Sequence, residues 1–394
     1  MRSVVVSKDE LRDRTAVVGV GFTEFSKNSG VSTAALAARA VQAAVRDAGL
    51  SMTDIDGMVS YSVGDSTEPR MLAPMLGISD LKFTNHQAGG GVVSHAAVGV
   101  AMMAVATGVA DYVVCYRALN SRSEFRIGGK GRAPVDRNLE MQYRVPYGWF
   151  TPPQDFAMAA RQHMLRYGTT SEHFGHIAIT QRDNAVLNER AMMRQPIDMD
   201  TYLTSRWIAE PFRLLDCCLE ADGACAIVIT SSERARDLQQ TPVLISGAAW
   251  GQGNTMISGG GQDQSVSGAA RLAPRLYAMA GVGPGDVDVA MLYDCFTYTV
   301  LVQLEDLGFC AKGEGGPFVA SGAIRRDGTI PVNTHGGFLS EAYIHGLNHV
   351  CEAILQLRGD GGARQIPNAE VAISTGQPGV TSGLCSGLIF RRGR

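Results

Sequence analysis

One succession of elements occurs twice in this chain of 394 residues, and that repetition limits what it can fold into. In the first half, residues 16–21 read as an apolar strand closing on a glycine. Residues 33–49 read as an alanine-rich helix stopped by glycine, and 54–62 as a turn and a strand. A polar, glycine-rich turn follows at 83–91, then an apolar helix at 95–108 and a strand at 111–116. The second half repeats the order: strand 243–247, helix 269–281, turn and strand 286–293, polar turn 333–337, helix 343–357, strand 370–374. The second copy gains loop residues as it proceeds. Such a repeat predicts a duplicated α/β unit, divided here into residues 1–240 and 241–394. Between the copies, residues 118–215 are mixed polar, aromatic and proline-rich, with a helix at 155–166; this is too long for a connection and predicts an insertion acting as a lid or an interface. Residues 217–229 close the first half, with Asp222-Gly223 matching a hairpin turn.

Composition removes several function classes. A net charge of −3 leaves no basic footprint for nucleic acid or an anionic membrane. No apolar run approaches the roughly 18 residues of a membrane span, and the charged first 14 residues do not read as a secretory leader. The 8 cysteines are scattered without a C-x-x-C pair, which predicts neither zinc nor a disulfide framework but reduced, mostly buried thiols in a cytoplasmic protein. The strand at 16–21 ends in Gly-Val-Gly, yet position 24 is Glu, so the third glycine of a dinucleotide fingerprint is missing.

Chemistry-bearing residues concentrate in two stretches of the second half. Residues 333–349 carry three histidines (His335, His345, His349), Tyr343 and a Gly-Gly turn ahead of an apolar run. Glycines there allow close approach of backbone to ligand, and a helix start offers N–H groups to developing negative charge. Residues 293–297, Tyr-Asp-Cys-Phe-Thr, form a second polar cluster on an apolar background. We expect the two stretches to face one another across one site. With His345 and His349 four apart on one helix face, a metal would still need a third ligand, and none is expected.

These strings, in this order, resemble the thiolase superfamily over about residues 15–390. Asp294-Cys-Phe-Thr297 with Leu304-Glu-Asp-Leu-Gly308, the block from Asn333 to Gly346, and Asp222-Gly-Ala224 are similar to its lipid-transfer, sterol-carrier-type branch. The resemblance implies a five-layered αβαβα core and a homodimer. The departures are specific. Where the family carries its nucleophilic cysteine, in a turn like Asn-x-x-Cys-x-x-Gly, this chain reads Asn85-His-Gln-Ala88-Gly-Gly-Gly91. Tyr343 stands at the histidine of the family's Gly-His-Pro block, Tyr293 at the histidine before Asp-Cys-Phe, and the second cysteine, due near residues 374–376, is absent. Covalent acyl transfer needs a thiolate and its base, and neither remains.

A C–C bond beside a thioester still breaks through an enolate without acyl transfer. The chain resembles the actinobacterial steroid side-chain-cleaving aldolases, which implies release of propionyl-CoA from a 17-hydroxy steroid C22-CoA thioester to leave a 17-ketone. It also implies a complex with the OB-fold domain of the steroid enoyl-CoA hydratase, and no cofactor beyond the coenzyme A of the substrate. By that likeness Tyr293 and Tyr343 are the acid/base pair. His335 (first to touch substrate), His345, Asp294, Ala88 and the amides of Gly89, Gly90 and Gly91 are the substrate-binding or oxyanion residues. Cys295 reads as buried structure. Arg122, Arg126, Lys130 and Arg132 cluster in the insertion, where coenzyme A phosphates or solvent would meet them. Residues 146–153 and 256–267 are expected to shape the acyl pocket. Two alternatives remain: a non-catalytic lipid or acyl-CoA binder, and a lyase for another bulky acyl chain.

Overall fold

Short runs, most of them rich in valine, isoleucine and alanine, build the nine strands of one sheet in this computed structural model, which describes residues 8–124, 139–149, 151–253, 263–380 and 383–393. They are β1 (Thr15–Phe22), β2 (Gly57–Ser62), β3 (Phe83–Ala88), β4 (Val113–Asn120), β5 (Asp222–Ser231), β6 (Val243–Gln252), β7 (Val289–Met291), β8 (Val371–Thr375) and β9 (Leu384–Arg392). Their order across the sheet is β3-β2-β4-β5-β1-β6-β9-β8-β7. The two halves repeat one pairing scheme. β1·β5 and β5·β4 are antiparallel, and β4·β2 is parallel. Likewise β6·β9 and β9·β8 are antiparallel, and β8·β7 is parallel. The β2·β3 pair finds its counterpart in a single parallel bridge, Ala290↔Val332. β1 meets β6 only through Ala16↔Leu244 and Val17↔Val243, so the halves join at one end and lie on either side of two shared helices.

Those helices are α2 (Ser94–Ala106) and α4 (Leu347–Arg358). α2 packs on β2, β4 and β5 but also on β6 and β9; α4 packs on β7, β8 and β9 but also on β5. Both are buried nearly all round, as a helix between two sheets is; α2 is almost wholly apolar, whereas α4 also buries Asn348, His349, Glu352, Gln356 and Arg358. Outside them, α1 (Thr33–Asp47) covers β1, β5 and β4, and α3 (Ala269–Ala280) covers β6 and β9. The layers therefore run α1, first half-sheet, α2 with α4, second half-sheet, α3: the five-layered α/β core. The Gly-Val-Gly of β1 serves this packing. A Cβ on Gly19 would sit 2.1 Å from the Ala44 carbonyl oxygen and one on Gly21 2.2 Å from that of Ala40, so α1 touches bare backbone there.

Three local expectations need correction. Residues 83–88 are not turn but strand β3, hydrogen-bonded to β2; they read as polar because they form a half-exposed edge of the sheet. Asp222 and Gly223 make no hairpin turn: they open β5 opposite Asn120 and Leu119, and the Asp222 carboxylate takes the N–H groups of Ser29, Arg122 and Ser123. The helix expected from residue 343 begins only at Leu347, because His345 (φ 49°) and Gly346 (φ 104°) are left-handed. His345 and His349 consequently share no helix face.

The segment 118–215 holds helices Pro152–Tyr167, Ser171–Val186 and Met199–Thr204 and a two-stranded ribbon, Trp207–Ala209 with Phe212–Arg213. Phe156, Phe174, Ile177, Tyr202 and Phe212 share a core with Phe296, Tyr298 and Leu301 of the second half. Phe212 and Phe296 stack at 5.0 Å with rings 2° apart. Of the four basic residues placed where coenzyme A phosphates or solvent would meet them, Arg126, Lys130 and Arg132 lie outside the described residues, as do position 150 and most of the 256–267 loop.

Candidate active site

β7 delivers its last turn of backbone to a polar dead end. Tyr293 follows the strand and is held by its main chain: its N–H donates to Thr375 Oγ1 (3.2 Å), and its carbonyl accepts from Thr299 Oγ1 and Gln303 Nε2 (2.9 Å each). Thr375 Oγ1 donates in turn to Gln303 Oε1 (2.6 Å), which fixes both. The Tyr293 ring rests edge-on against Phe338 at 4.7 Å, with 1% of its surface exposed. Its hydroxyl meets the hydroxyl of Tyr343 at 2.7 Å. Tyr343 comes from the segment between helix Gly337–Ser340 and α4, also packs edge-on to Phe338 (5.0 Å), and remains partly exposed. Burial drives both phenols well above the usual tyrosine value, Tyr293 further through Tyr343 and Tyr343 further through Cys218 and Cys295. Both are therefore neutral at physiological pH.

The first half supplies the facing wall. A Cβ on Gly91 would lie 1.8 Å from the Tyr293 hydroxyl oxygen, so the bare Gly91 backbone abuts that hydroxyl. Gly90 faces the His345 ring, whose Cε1 and Nε2 would be 3.5 and 3.7 Å from a Cβ there. Gln377 N–H donates to the Gly91 carbonyl (2.9 Å), tying the turn to the end of β8. Among the described residues no hydrogen bond engages the amides of Gly90 and Gly91, whereas the Gly89 amide donates to Ser62 O at 2.8 Å. Gly89 is thus a turn residue (φ 143°) and not a free donor. Ala88 ends β3 opposite Ser62 and is exposed.

The remaining expected residues lie behind this wall. Asp294 is fully buried and accepts from the amides of Phe338 (2.8 Å) and Leu339 (3.2 Å), so the N–H groups expected to serve an oxyanion are occupied by a carboxylate of the protein itself. Its other oxygen is 3.0 Å from His349 Nε2. His335, expected to touch substrate, is instead fully buried: its Nε2 is 3.2 Å from His349 Nδ1 and 3.6 Å from Glu341. Burial first, then His349, pushes its basicity well below the ordinary range. A buried polar turn needs such internal partners, which is why the histidine is there. Asn333 has a like role: its amide pairs with both N–H and C=O of Leu292 (2.8 Å each), replacing strand pairing.

Sequence reading missed Arg117 and Asp65. Arg117 is fully buried in β4 and hydrogen-bonds Asp65 Oδ1 (2.7 Å) and His345 Nδ1 (2.8 Å). The available signal was a charged residue continuing the apolar run of residues 112–116, since a buried strand tolerates arginine only with partners. Cys295 is buried, as expected, and burial raises its thiol far above the ordinary value. Among the described residues no group of three or more His, Cys, Asp and Glu side chains converges as a metal site requires, and no helix is long and apolar enough to cross a membrane.

The duplicated, five-layered α/β core with the Tyr293–Tyr343 contact at the meeting of its halves defines a protein of the thiolase fold. Residues 251–390 match the thiolase C-terminal domain-like family. The chain is 45% identical over 383 residues to a steroid side-chain-cleaving aldolase of Thermomonospora curvata, covering 94% of this chain and 97% of that one. It is also 45% identical over 387 residues to the 17-hydroxy-3-oxo-4-pregnene-20-carboxyl-CoA lyase of Mycobacterium tuberculosis, covering 96% and 100%. A solved structure described as an Ltp2-ChsH2(DUF35) aldolase superposes with a TM-score of 0.89 at 42% identity, over 98% of this chain and 99% of that one. The chain belongs to the family of thiolase-fold, steroid side-chain-cleaving aldolases.

Proposed function

We propose that the protein is a carbon–carbon lyase that cleaves a β-hydroxyacyl-CoA by retro-aldol chemistry. Its substrate is a 17-hydroxy steroid C22-CoA thioester, and its products are a 17-ketosteroid and propionyl-CoA. The observation that carries this reading is the 2.7 Å contact between the Tyr293 and Tyr343 hydroxyls beside the bare Gly91 backbone. Two neutral phenols in contact move a proton without either becoming a stable anion. The substrate hydroxyl gives its proton to one phenol oxygen while the bond between the β- and α-carbons breaks. The electron pair of the lost O–H bond forms the ketone; that of the C–C bond passes to the α-carbon and the thioester oxygen as an enolate. The second phenol protonates the α-carbon, and the proton shared between the tyrosines restores both. No electron or proton is left over. The free amides of Gly90 and Gly91 are suited to the enolate oxygen. The reading calls for no cofactor, since coenzyme A arrives on the substrate.

Two assembly steps belong to the same reading. The half-exposed outer edge of β3 suits a homodimer built by strand pairing, and the 42% identity to a chain from an Ltp2-ChsH2(DUF35) aldolase favours a second partner with an OB-fold domain. The test is turnover of the 17-hydroxy C22-CoA thioester, with and without the hydratase-linked OB-fold domain, followed by propionyl-CoA release. Release that is lost in both Tyr293→Phe and Tyr343→Phe supports the lyase. Tight thioester binding with no release, partner present, would leave a non-catalytic acyl-CoA binder; release from another bulky acyl chain alone would change the substrate but keep the chemistry.

A further inference from the structure

A fully buried cation stands next to the tyrosine pair and has no part in the proton relay. Arg117 donates from Nη2 to Asp65 Oδ1 and to His345 Nδ1, and from Nη1 to Ala118 O (3.1 Å). A guanidinium has only donors. His345 Nδ1 must therefore be the acceptor, and a neutral ring carries its proton on Nε2. The backbone of His345 is held as well: Tyr61 Oη donates to its carbonyl at 3.0 Å, and the left-handed conformation there sets the direction in which the side chain leaves. Burial first, then Arg117, lowers His345 to about 3, so the ring is uncharged at neutral pH. Among the described residues Nε2 makes no hydrogen bond, while the ring faces Gly90 and lies at 4.7 Å and 87° to Tyr343. An N–H without a partner, on a residue only 2% exposed and beside free backbone amides and the proton-transferring pair, is placed for an oxygen of the substrate.

We propose that Arg117 and Asp65 are positioning residues that lock His345 as the Nε2–H tautomer, making it a third neutral donor, with the Gly90 and Gly91 amides, to the thioester oxygen. The proposal rests on the retro-aldol reading. Negative charge gathers on that oxygen as the C–C bond breaks, and a donor whose orientation is fixed beforehand stabilises it without reorganisation. The opposite tautomer would aim a lone pair at the same oxygen. Asp65 belongs to the device because a lone buried guanidinium would be strongly destabilising.

The lock is read directly by ¹⁵N NMR of the full chain labelled in histidine, with His345 assigned through His345→Gln. The expected wild-type signal is a protonated Nε2 and a bare Nδ1, unchanged from pH 8 to pH 5. In Arg117→Met the ring should populate both tautomers and titrate closer to the ordinary 6.5. Turnover, measured with the OB-fold partner present, should fall roughly 10-fold or more in kcat for Arg117→Met and Asp65→Asn, with KM changed little. His345→Leu, which removes the donor, should fall by roughly 10²–10³. A wild-type ring protonated on Nδ1 overturns the lock, as does a folded Arg117→Met with wild-type tautomer and kcat. Should Arg117→Met not fold, the wild-type spectrum and Asp65→Asn decide. Absence of any wild-type turnover would sink the aldolase reading and the donor role with it, while the spectrum still decides the tautomer.

Discussion

Two phenols sharing one hydrogen bond in a dry site behave unlike a lone tyrosine. Each is made more reluctant to ionise by burial, which disfavours the tyrosinate, and Tyr293 also by the phenol beside it. The nearby histidine is shifted in the opposite sense, to about 3, because burial and Arg117 both disfavour the imidazolium. Worked through, a raised tyrosine stays protonated above its ordinary value near 10, and a depressed histidine stays neutral below its ordinary 6.5. Neither changes charge between pH 6 and pH 9. We therefore expect kcat/KM for propionyl-CoA release to be flat across that interval. An ascending limb near 6.5 that disappears in His345→Gln would show that the histidine titrates after all. The same environment keeps Cys295 a thiol, a poor nucleophile. Cys295→Ala should keep turnover within about threefold of wild type, whereas a residual thiolase-type mechanism would be abolished by it.

At the scale of elements, the site is a meeting of chain ends: the end of β7, the turn after β3, the end of β8 and the loop before α4. Gly91 shows how little room this leaves. A methyl group there would fall 1.8 Å from the Tyr293 hydroxyl oxygen, so Gly91→Ala must push the phenol away from Tyr343. Overpacking of this kind costs about 1–3 kcal/mol of stability, but breaking the 2.7 Å contact should remove most turnover, at least roughly 100-fold. Thermal melts and the release assay on one preparation separate the two effects; full activity in Gly91→Ala would mean that the tyrosines do not need their contact. This packing also explains what was legible in the sequence. The repeat of strand and helix was readable because periodicity reports on burial, although the stretch at 83–88 read as turn is strand, and Tyr293 and Tyr343 stood out against a family pattern. The partners of each histidine were not. His335, His345 and His349 look alike within one short stretch, yet two left-handed residues, His345 and Gly346, send one into the site and leave two behind it. Arg117 and Asp65 reach His345 from positions more than 200 residues away, and only the tertiary fold brings them together.

For the molecule as a whole, the central layer holds buried histidines whose neutral state is a condition of folding. His95 bridges Ser94 Oγ (2.9 Å) and Ser374 Oγ (2.6 Å), joining α2 to β8. His335 backs the site through His349, and His345 sits on Arg117. In all three, burial leads the causes that lower the folded-state value. The sign follows from proton binding: below the ordinary 6.5 the unfolded chain takes up these protons and the folded chain does not, so acid favours unfolding. The stabilisation is complete above that value and is lost as the pH falls toward about 3, the folded value for His345. Each histidine removes up to about 1.4 kcal/mol per pH unit once the pH is well below 6.5. Asp216 works the other way. It is buried between Tyr202 and Thr297 and raised to about 6, so its protonation favours the fold at lower pH; burial raises Asp183 and Asp306 in the same sense, while His173 is lowered like the three central histidines. We expect the melting temperature to fall from pH 7 to pH 5, the loss from the histidines outweighing the gain from Asp216, which titrates within the same range. His95→Gln should lessen that slope whatever it does to the melting temperature at pH 7, because it removes one of the protons taken up on unfolding. A pH slope that His95→Gln leaves unchanged would mean that His95 takes up no proton on unfolding, and its reading as a neutral buried ring would be wrong.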